Sequence, residues 1–260
     1  MLREAIGLWF APASRHARRL GYAAEAIAIE ARQRRCRKQW APHIEQCHQS
    51  VRAAVARCAK RDLVVVLGSG PLFDIPLAGL ADGFSQVVLV DIFHSRAARR
   101  RAGGRPNLSL LEHDLLGLDR SDDLGQAAAN LSVWRGLLGQ PDLVISANLL
   151  TQLPLLPLDA STHGEDRHGS WADAVMRAHL ADLASGPGVG CLISEWRRRW
   201  YDRTGAEIDR ERPIDRLDLP APQRSWNWTI APPGELPRGE SLILDVGAYH
   251  LGGPLSPAAE

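Results

Sequence analysis

At 260 residues, with 45% hydrophobic and 23% charged content, the chain is long enough to bury a full core as one large domain, or as one domain with an extension. No run approaches the roughly 18–20 uninterrupted apolar residues of a membrane span, the opening MLREAIGLWFAPASRHARR lacks the apolar core and cleavage site of a secretion signal, and four cysteines with no C-x-x-C pair make no disulfide scaffold. The expected compartment is therefore the cytoplasm. The net charge of +1 is unevenly spread: Met1 to Arg61 carries 13 basic residues against 4 acidic ones, net +9, and the rest of the chain −8.

The basic stretch reads as helical. Gly21 to Trp40 is rich in Ala, Ile, Glu and Arg, and Pro42 is expected to restart a second helix that runs to about Lys60, since proline suits a first turn. Ile44, Cys47, Val51, Val55 and Cys58 follow a 3–4 spacing, which predicts one buried stripe. Two readings of the arm stay open. It is a helical cap on the domain with arginines facing water, or it is a dock for an acidic partner, RNA or an anionic membrane at the cell periphery, with Leu8, Trp9 and Phe10 as apolar anchors. Cys36, Cys47 and Cys58 recur every eleven residues. On one helix that interval rises about 16 Å, far beyond a shared zinc, so buried thiols and no metal are expected.

The most informative stretch is Asp62 to Asp91. An apolar strand (Leu63–Leu67) runs into Gly68-Ser69-Gly70, a helix follows, and a second apolar strand (Val87–Val90) stops on Asp91. Glycines let the backbone turn sharply and approach a ligand. In a right-handed βαβ unit the acid at the next strand tip lies beside that turn, where its two oxygens can accept both hydroxyls of a ribose. A dinucleotide fingerprint counted from Gly68 would need glycine at 73, where the chain has Phe73, so NAD is disfavoured. The alternation continues with strands over Asn107–Leu111, Asp142–Ser146 and Val189–Ser194, separated by helices that include Leu131–Leu138 and Trp171 to Leu183. It then breaks. Ser225–Ile230 and Ser241–Val246 are separated by APPGELPRGE, too short and too proline-rich for a crossover helix, so they should form an antiparallel hairpin.

Five parallel βα units followed by a terminal hairpin resemble the class I S-adenosylmethionine-dependent methyltransferases over about Asp62 to Leu251. The resemblance implies an α/β fold: a seven-stranded, mostly parallel, doubly wound sheet with a C-terminal antiparallel β-hairpin, preceded by N-terminal helices. The chain then divides into a basic extension (1–61), a Rossmann-like domain (62–251) and a tail (252–260). It also implies S-adenosylmethionine as cofactor, with Gly68, Ser69 and Gly70 under its methionine portion, Asp91 on the ribose, Asp114 on the adenine amino group, Leu115 against the ring, and Ser146 and Asn148 near the transferable methyl. Two positions depart from the family pattern. Val66 stands where many members carry an acid and Leu72 where they carry a third glycine, and Asp74 is expected to substitute for the acid by contacting the cofactor's amino group. The fourth motif, SANLLTQLPLL, lacks the Asn/Asp-Pro-Pro-Tyr/Phe of enzymes that methylate bases or glutamine, which points to a small or lipid-like acceptor and away from nucleic acid.

Candidate catalytic groups lie in loops at the carboxyl ends of the strands. They are His163 and His168 in a polar insertion with the composition of a lid, Tyr201 and Asp202 after the fifth strand, and His94 just past Asp91; Glu195 is a candidate to orient substrate, and Arg197–Arg199 either bind an anionic substrate or are simply exposed. Two other readings stay open: a non-catalytic cofactor- or partner-binding module on the same fold, and an NAD-dependent oxidoreductase.

Overall fold

A computed structural model describes residues 14–118, 124–159 and 165–252. Strands β1 (Leu63–Leu67), β2 (Gln86–Asp91), β3 (Leu108–Glu112), β4 (Leu143–Ala147), β5 (Val189–Tyr201), β6 (Glu207–Glu211), β7 (Arg224–Ala231) and β8 (Ser241–Gly252) form one sheet in the order β3-β2-β1-β4-β5-β8-β7, with β6 on β5. β3, β2, β1, β4 and β5 are parallel. β8 enters antiparallel between β5 and β7, so the proline-rich connection makes the expected hairpin.

The central strands read LVVVL and QVVLVD because helices cover both faces of the sheet, and a strand buried on both faces needs no polar alternation. Val64, Val66, Val87 and Leu89 point to one face, packed under helices Arg37–Arg57, Leu77–Gly83 and Arg96–Ala102. Val65, Leu67, Val88 and Val90 point to the other, under helices Leu124–Asn130, Val133–Leu138 and Glu165–Ala184.

The N-terminal helices differ from expectation in where they break. The chain turns at Cys36 (φ −98°, ψ 22°), between helices Tyr22–Arg35 and Arg37–Arg57, and Pro42 sits inside the second helix. That helix tolerates a lost N–H in its second turn because Trp40, His43, Cys47 and Val51 bury one side of it against the sheet. The stripe is also rotated: Ile44, Val55 and Cys58 are only partly buried, while His43 and Ser50, polar but partnered, take places in it. The charge boundary at residue 61 therefore falls between two pieces of one core.

β5 is the larger surprise. It runs on through SEWRRRWY to Tyr201, because β8 pairs with it from Val189 to Tyr201 and β6 pairs with its far end. The arginines expected in a loop are strand residues. Arg197 and Arg199 both pair with Asp245 on β8, and Arg198 pairs with Glu195 and Glu211.

Candidate functional site

One cavity of about 500 Å³ opens at the carboxyl ends of the parallel strands. Its floor is the turn after β1. Gly68 (φ 64°) and Gly70 (φ 52°) are both left-handed, and a Cβ on Gly68 would come within 2.6 Å of Leu149, so the turn requires glycine there for conformation and for space. Leu72, at the place of the family's third glycine, keeps the same handedness (φ 64°) despite its side chain. Ser69 lines the cavity too, and its buried hydroxyl has no hydrogen-bond partner.

Three acids stand around this turn. Asp91, at the end of β2, accepts from the Gly70 N–H at 2.7 Å and from the Phe93 N–H at 3.3 Å. Burial pushes its carboxyl above the ordinary value, opposed by the Gly70 N–H. Asp114, after β3, accepts from the Leu116 N–H at 3.0 Å and is 3.0 Å from His16 Nε2. Leu115 beside it lines the cavity, as both acids do. Asp74 also lines it, and its Oδ2 accepts from Asn148 Nδ2 at 2.8 Å. Asn148, directly after β4, holds a left-handed backbone (φ 55°).

Ser146 is corrected. Alternation along β4 puts Ala147 on the cavity and turns Ser146 to the opposite face, where its hydroxyl meets His179 Nε2 at 2.8 Å; it does not line the cavity. Tyr201 and Asp202 are corrected as well, since neither lines the cavity. The Tyr201 hydroxyl accepts from Arg199 at 2.6 Å. Asp202 Oδ1 accepts from the Thr204 hydroxyl and from the Thr204 and Ala206 N–H groups, closing the β5–β6 turn, and these bonds hold its carboxyl below the ordinary range. His94 is fully buried beside the Leu111 carbonyl. His163 lies outside the described residues. His168 falls on the helix Glu165–Ala184, with its side chain outside them, and Leu8, Trp9 and Phe10 lie outside them too.

Several site residues were missed by sequence reasoning. Helices Arg15–Arg19 and Tyr22–Arg35 cover the cavity from above: His16 reaches Asp114, Ala17 and Ala23 pack on Phe93, and Tyr22 lines the wall. Burial, then the carboxylates of Asp114 and Asp91, hold the Tyr22 phenol well above its ordinary range. Further out the cavity is apolar, lined by Trp40, Trp200, Trp228, Ile230, Leu242 and Leu244. Glu195 and Arg198, which both line it, pair at 2.7 Å, and Glu195 also accepts from the Thr151 hydroxyl.

Behind Asp74 lies a buried cluster. His43 is fully buried and stacked on Trp228 (3.7 Å between ring centres), which pushes its pKa down to about 3 and keeps it neutral. The Trp226 indole N–H donates to His43 Nδ1 at 3.0 Å. An indole nitrogen only donates, so Nδ1 accepts and Nε2 carries the imidazole proton. Nε2 faces Asp74 Oδ1 (3.6 Å), Asn148 Nδ2 (3.3 Å) and Cys47 Sγ (3.4 Å). His43, Cys47 and Asp74 bring three ligand-type atoms within 4.8 Å of one another. The donor chemistry does not suit a metal: with the Trp226 N–H occupying Nδ1, the neutral ring keeps its proton on Nε2, the nitrogen that faces Cys47 and Asp74, and has no lone pair there to offer. The signal for this cluster was in the sequence, as His43 and Cys47 at i, i+4 on a helix and Trp226 and Trp228 at i, i+2 on a strand.

No family model matches the chain, and no curated protein matches it. Solved structures are similar to it. N-methyltransferase NodS from Bradyrhizobium japonicum WM9, in complex with S-adenosyl-L-homocysteine, is 13% identical with a TM-score of 0.38, over 79% of this chain and 86% of that one. The 1,6-didemethyltoxoflavin-N1-methyltransferase of Burkholderia thailandensis is 14% identical with a TM-score of 0.35, over 86% and 89%. CalS10 from Micromonospora echinaspora, an amino pentose methyltransferase, is 15% identical with a TM-score of 0.32, over 79% and 91%. All three are methyltransferases. The functional reading of this chain rests on its own site.

Proposed function

We propose that this chain transfers a methyl group from S-adenosylmethionine to a small apolar or lipid-like molecule. The observation that carries the reading is a single cavity that joins a left-handed glycine turn, two strand-end acids and an apolar hollow. The residues fit the cofactor: Gly68 and Gly70 hold a left-handed turn that brings backbone to the cavity, Ser69 has a buried hydroxyl with no partner among the described residues, and Asp91 and Asp114 line the cavity with Leu115. Gly68, Ser69 and Gly70 would hold the methionine portion, Asp91 the ribose, and Asp114 with Leu115 the adenine. When bound, the cofactor supplies a methyl already activated by sulfonium charge. What remains for the protein is to align an acceptor beside Asn148, exclude water and accept a proton. The tryptophans and leucines of the hollow do the second of these, because an apolar wall leaves water few partners.

NAD is the weaker reading. Phe73 stands where the dinucleotide turn needs its third glycine, and the Arg101 guanidinium covers its ring at 4.4 Å. Calorimetry of the purified chain with S-adenosylmethionine, S-adenosylhomocysteine and NADH tests the choice. Binding of the first two is expected. Silence toward both at millimolar concentration, with NADH bound, would overturn the proposal, and cofactor binding without methyl transfer to any member of a small-molecule panel would favour a non-catalytic module.

A further inference from the structure

Asp74 is set apart from the other two cavity acids by what stands behind it. Asp91 is tied to backbone N–H groups, and Asp114 to one N–H and His16. Asp74 is held by one side-chain hydrogen bond, from the Asn148 amide, with the neutral His43 ring 3.6 Å away, and its own side chain stays 25% exposed. Among the described residues, the titratable groups facing it come from the helix Arg37–Arg57: His43, Cys47 and His48. His43 is neutral and the thiol protonated, so neither gives the carboxylate a fixed countercharge.

The network satisfies Asp74 in either protonation form. When Asp74 is ionised, the Asn148 amide N–H donates to Oδ2 at 2.8 Å, while His43 Nε2 stays 3.6 Å from Oδ1 and 3.4 Å from Cys47 Sγ. When Asp74 is protonated, half a turn of the Asn148 amide exchanges its oxygen and nitrogen. The oxygen then accepts from the acid O–H across the same 2.8 Å and from the His43 Nε2–H across the same 3.3 Å. The direction of the His43 proton never changes, because the Trp226 indole fixes it from behind. A carboxyl bound in one charge state only, such as an ion-pair partner, would lose its bonds on protonation. Here both states keep theirs.

We propose that Asp74 is the proton acceptor of this site, and that it serves a flat, apolar molecule whose neutral O–H or N–H enters the hollow lined by Trp40, Trp200 and Trp228. This rests on the methyl-transfer reading and reassigns Asp74 from cofactor contact to acceptor chemistry. In the step, the O–H or N–H bond breaks with its electron pair left on the heteroatom, which would take the methyl as the methyl–sulfur bond of the bound donor leaves its pair on sulfur. The proton joins a carboxylate oxygen of Asp74, Asn148 turns to accept from it, and the neutral acid later releases the proton to water. Burial supports the role by raising the Asp74 pKa from the ordinary carboxylate value, which makes it a stronger base than a solvated aspartate. Asn148 and His43 are positioning residues.

The test uses the full chain and two probes, 2-naphthol and naphthalene, followed by quenching of tryptophan fluorescence, together with an infrared titration of the carboxyl band in wild type minus Asp74→Asn. Expected are a carboxyl that titrates above the ordinary value of 3.8, saturable binding of 2-naphthol that weakens about tenfold in Asp74→Asn, the loss of one hydrogen bond to a charged group, and naphthalene binding that the substitution leaves unchanged. Asn148→Leu should move the midpoint higher still, since the ionised form loses its donor. A midpoint at or below the ordinary value, equal loss of both probes in Asp74→Asn, or no saturable binding of either, overturns the proposal. So does one equivalent of a divalent metal retained by wild type and lost in Asp74→Asn. Calorimetry with S-adenosylhomocysteine separates the two readings. If Asp74→Asn loses that ligand while wild type binds it, Asp74 is a cofactor ligand and the proton-acceptor assignment falls; if wild type itself does not bind it, the methyl-donor reading falls while the naphthol and infrared results still decide the role of Asp74.

Discussion

Asp91 does two jobs with one carboxylate. Its Oδ2 accepts from the Gly70 N–H at 2.7 Å, which fixes the glycine turn, and each oxygen retains a further lone pair for a ligand. Removing the side chain therefore takes away ligand bonds and loosens the turn that shapes the site. Asp91→Ala should weaken S-adenosylhomocysteine binding by roughly 2–4 kcal/mol, the scale of losing hydrogen bonds to a charged group. Calorimetry at constant pH reads it, and an unchanged affinity would remove Asp91 from the ribose. The folded apo protein should not suffer equally, because burial already disfavours the ionised form. Leu72 makes the complementary point. Its side chain is buried while its backbone takes the left-handed turn, so the packing of a leucine offsets a conformational cost of about 1–2 kcal/mol that glycine would avoid.

At the level of elements, the basic arm has two parts with different work. Helices Arg15–Arg19 and Tyr22–Arg35 cover the cavity and are tied at the far end by Arg35 to Glu235, which the pair holds below the ordinary carboxylate range. Helix Arg37–Arg57 buries Trp40, Cys47 and Val51 against the sheet. Deleting residues 1–35 should leave a folded sheet with an open site, whereas deleting 1–61 should abolish folding, since burying each large apolar side chain contributes about 1.5–3 kcal/mol and several are lost at once. Circular dichroism and gel filtration of the two truncations distinguish the outcomes, and a folded 62–260 fragment would sink the division. Much of this was legible in the chain. β1, β2 and the terminal hairpin announce themselves by apolar runs bounded by Gly, Asp and Pro, and Asp91 and Asp114 by ending strands. The extension of β5 was not, because three consecutive arginines read as a loop until the carboxylates of Asp245, Glu195 and Glu211 are placed beside them. Nor was the orientation of Ser146, where a shift of one residue along a strand reverses the face.

For the molecule as a whole, the buried histidines contribute to its response to acid. His179 is fully buried under the sheet, with Nε2 on the Ser146 hydroxyl, and burial lowers its pKa from 6.5 to about 4; His43 falls to about 3 for the same reason. The folded state therefore stays unprotonated at both sites while the unfolded chain takes up protons below 6.5. The stability these two groups confer is complete above that value and is lost as pH falls toward about 4 and about 3. Asp74 and Asp91 act in the opposite sense. Their folded pKa values are raised, so in the window just above 3.8 the native state holds more protons than the unfolded chain and stability declines with rising pH. On the acid side the histidines act together with Glu235 and Asp202, whose lowered carboxyls also lose stability as pH falls, and His179 is the one to remove because it lies away from the cavity. His179→Gln keeps a side-chain group for Ser146 and carries no titrating ring. Its thermal midpoint should fall less than that of wild type between neutral pH and pH 4, with a difference on the order of 3 kcal/mol at the acid end, the free energy of such a shift. Melting curves at a series of pH values measure it, and parallel curves for the two proteins would show that His179 titrates normally and that the acid sensitivity comes from elsewhere.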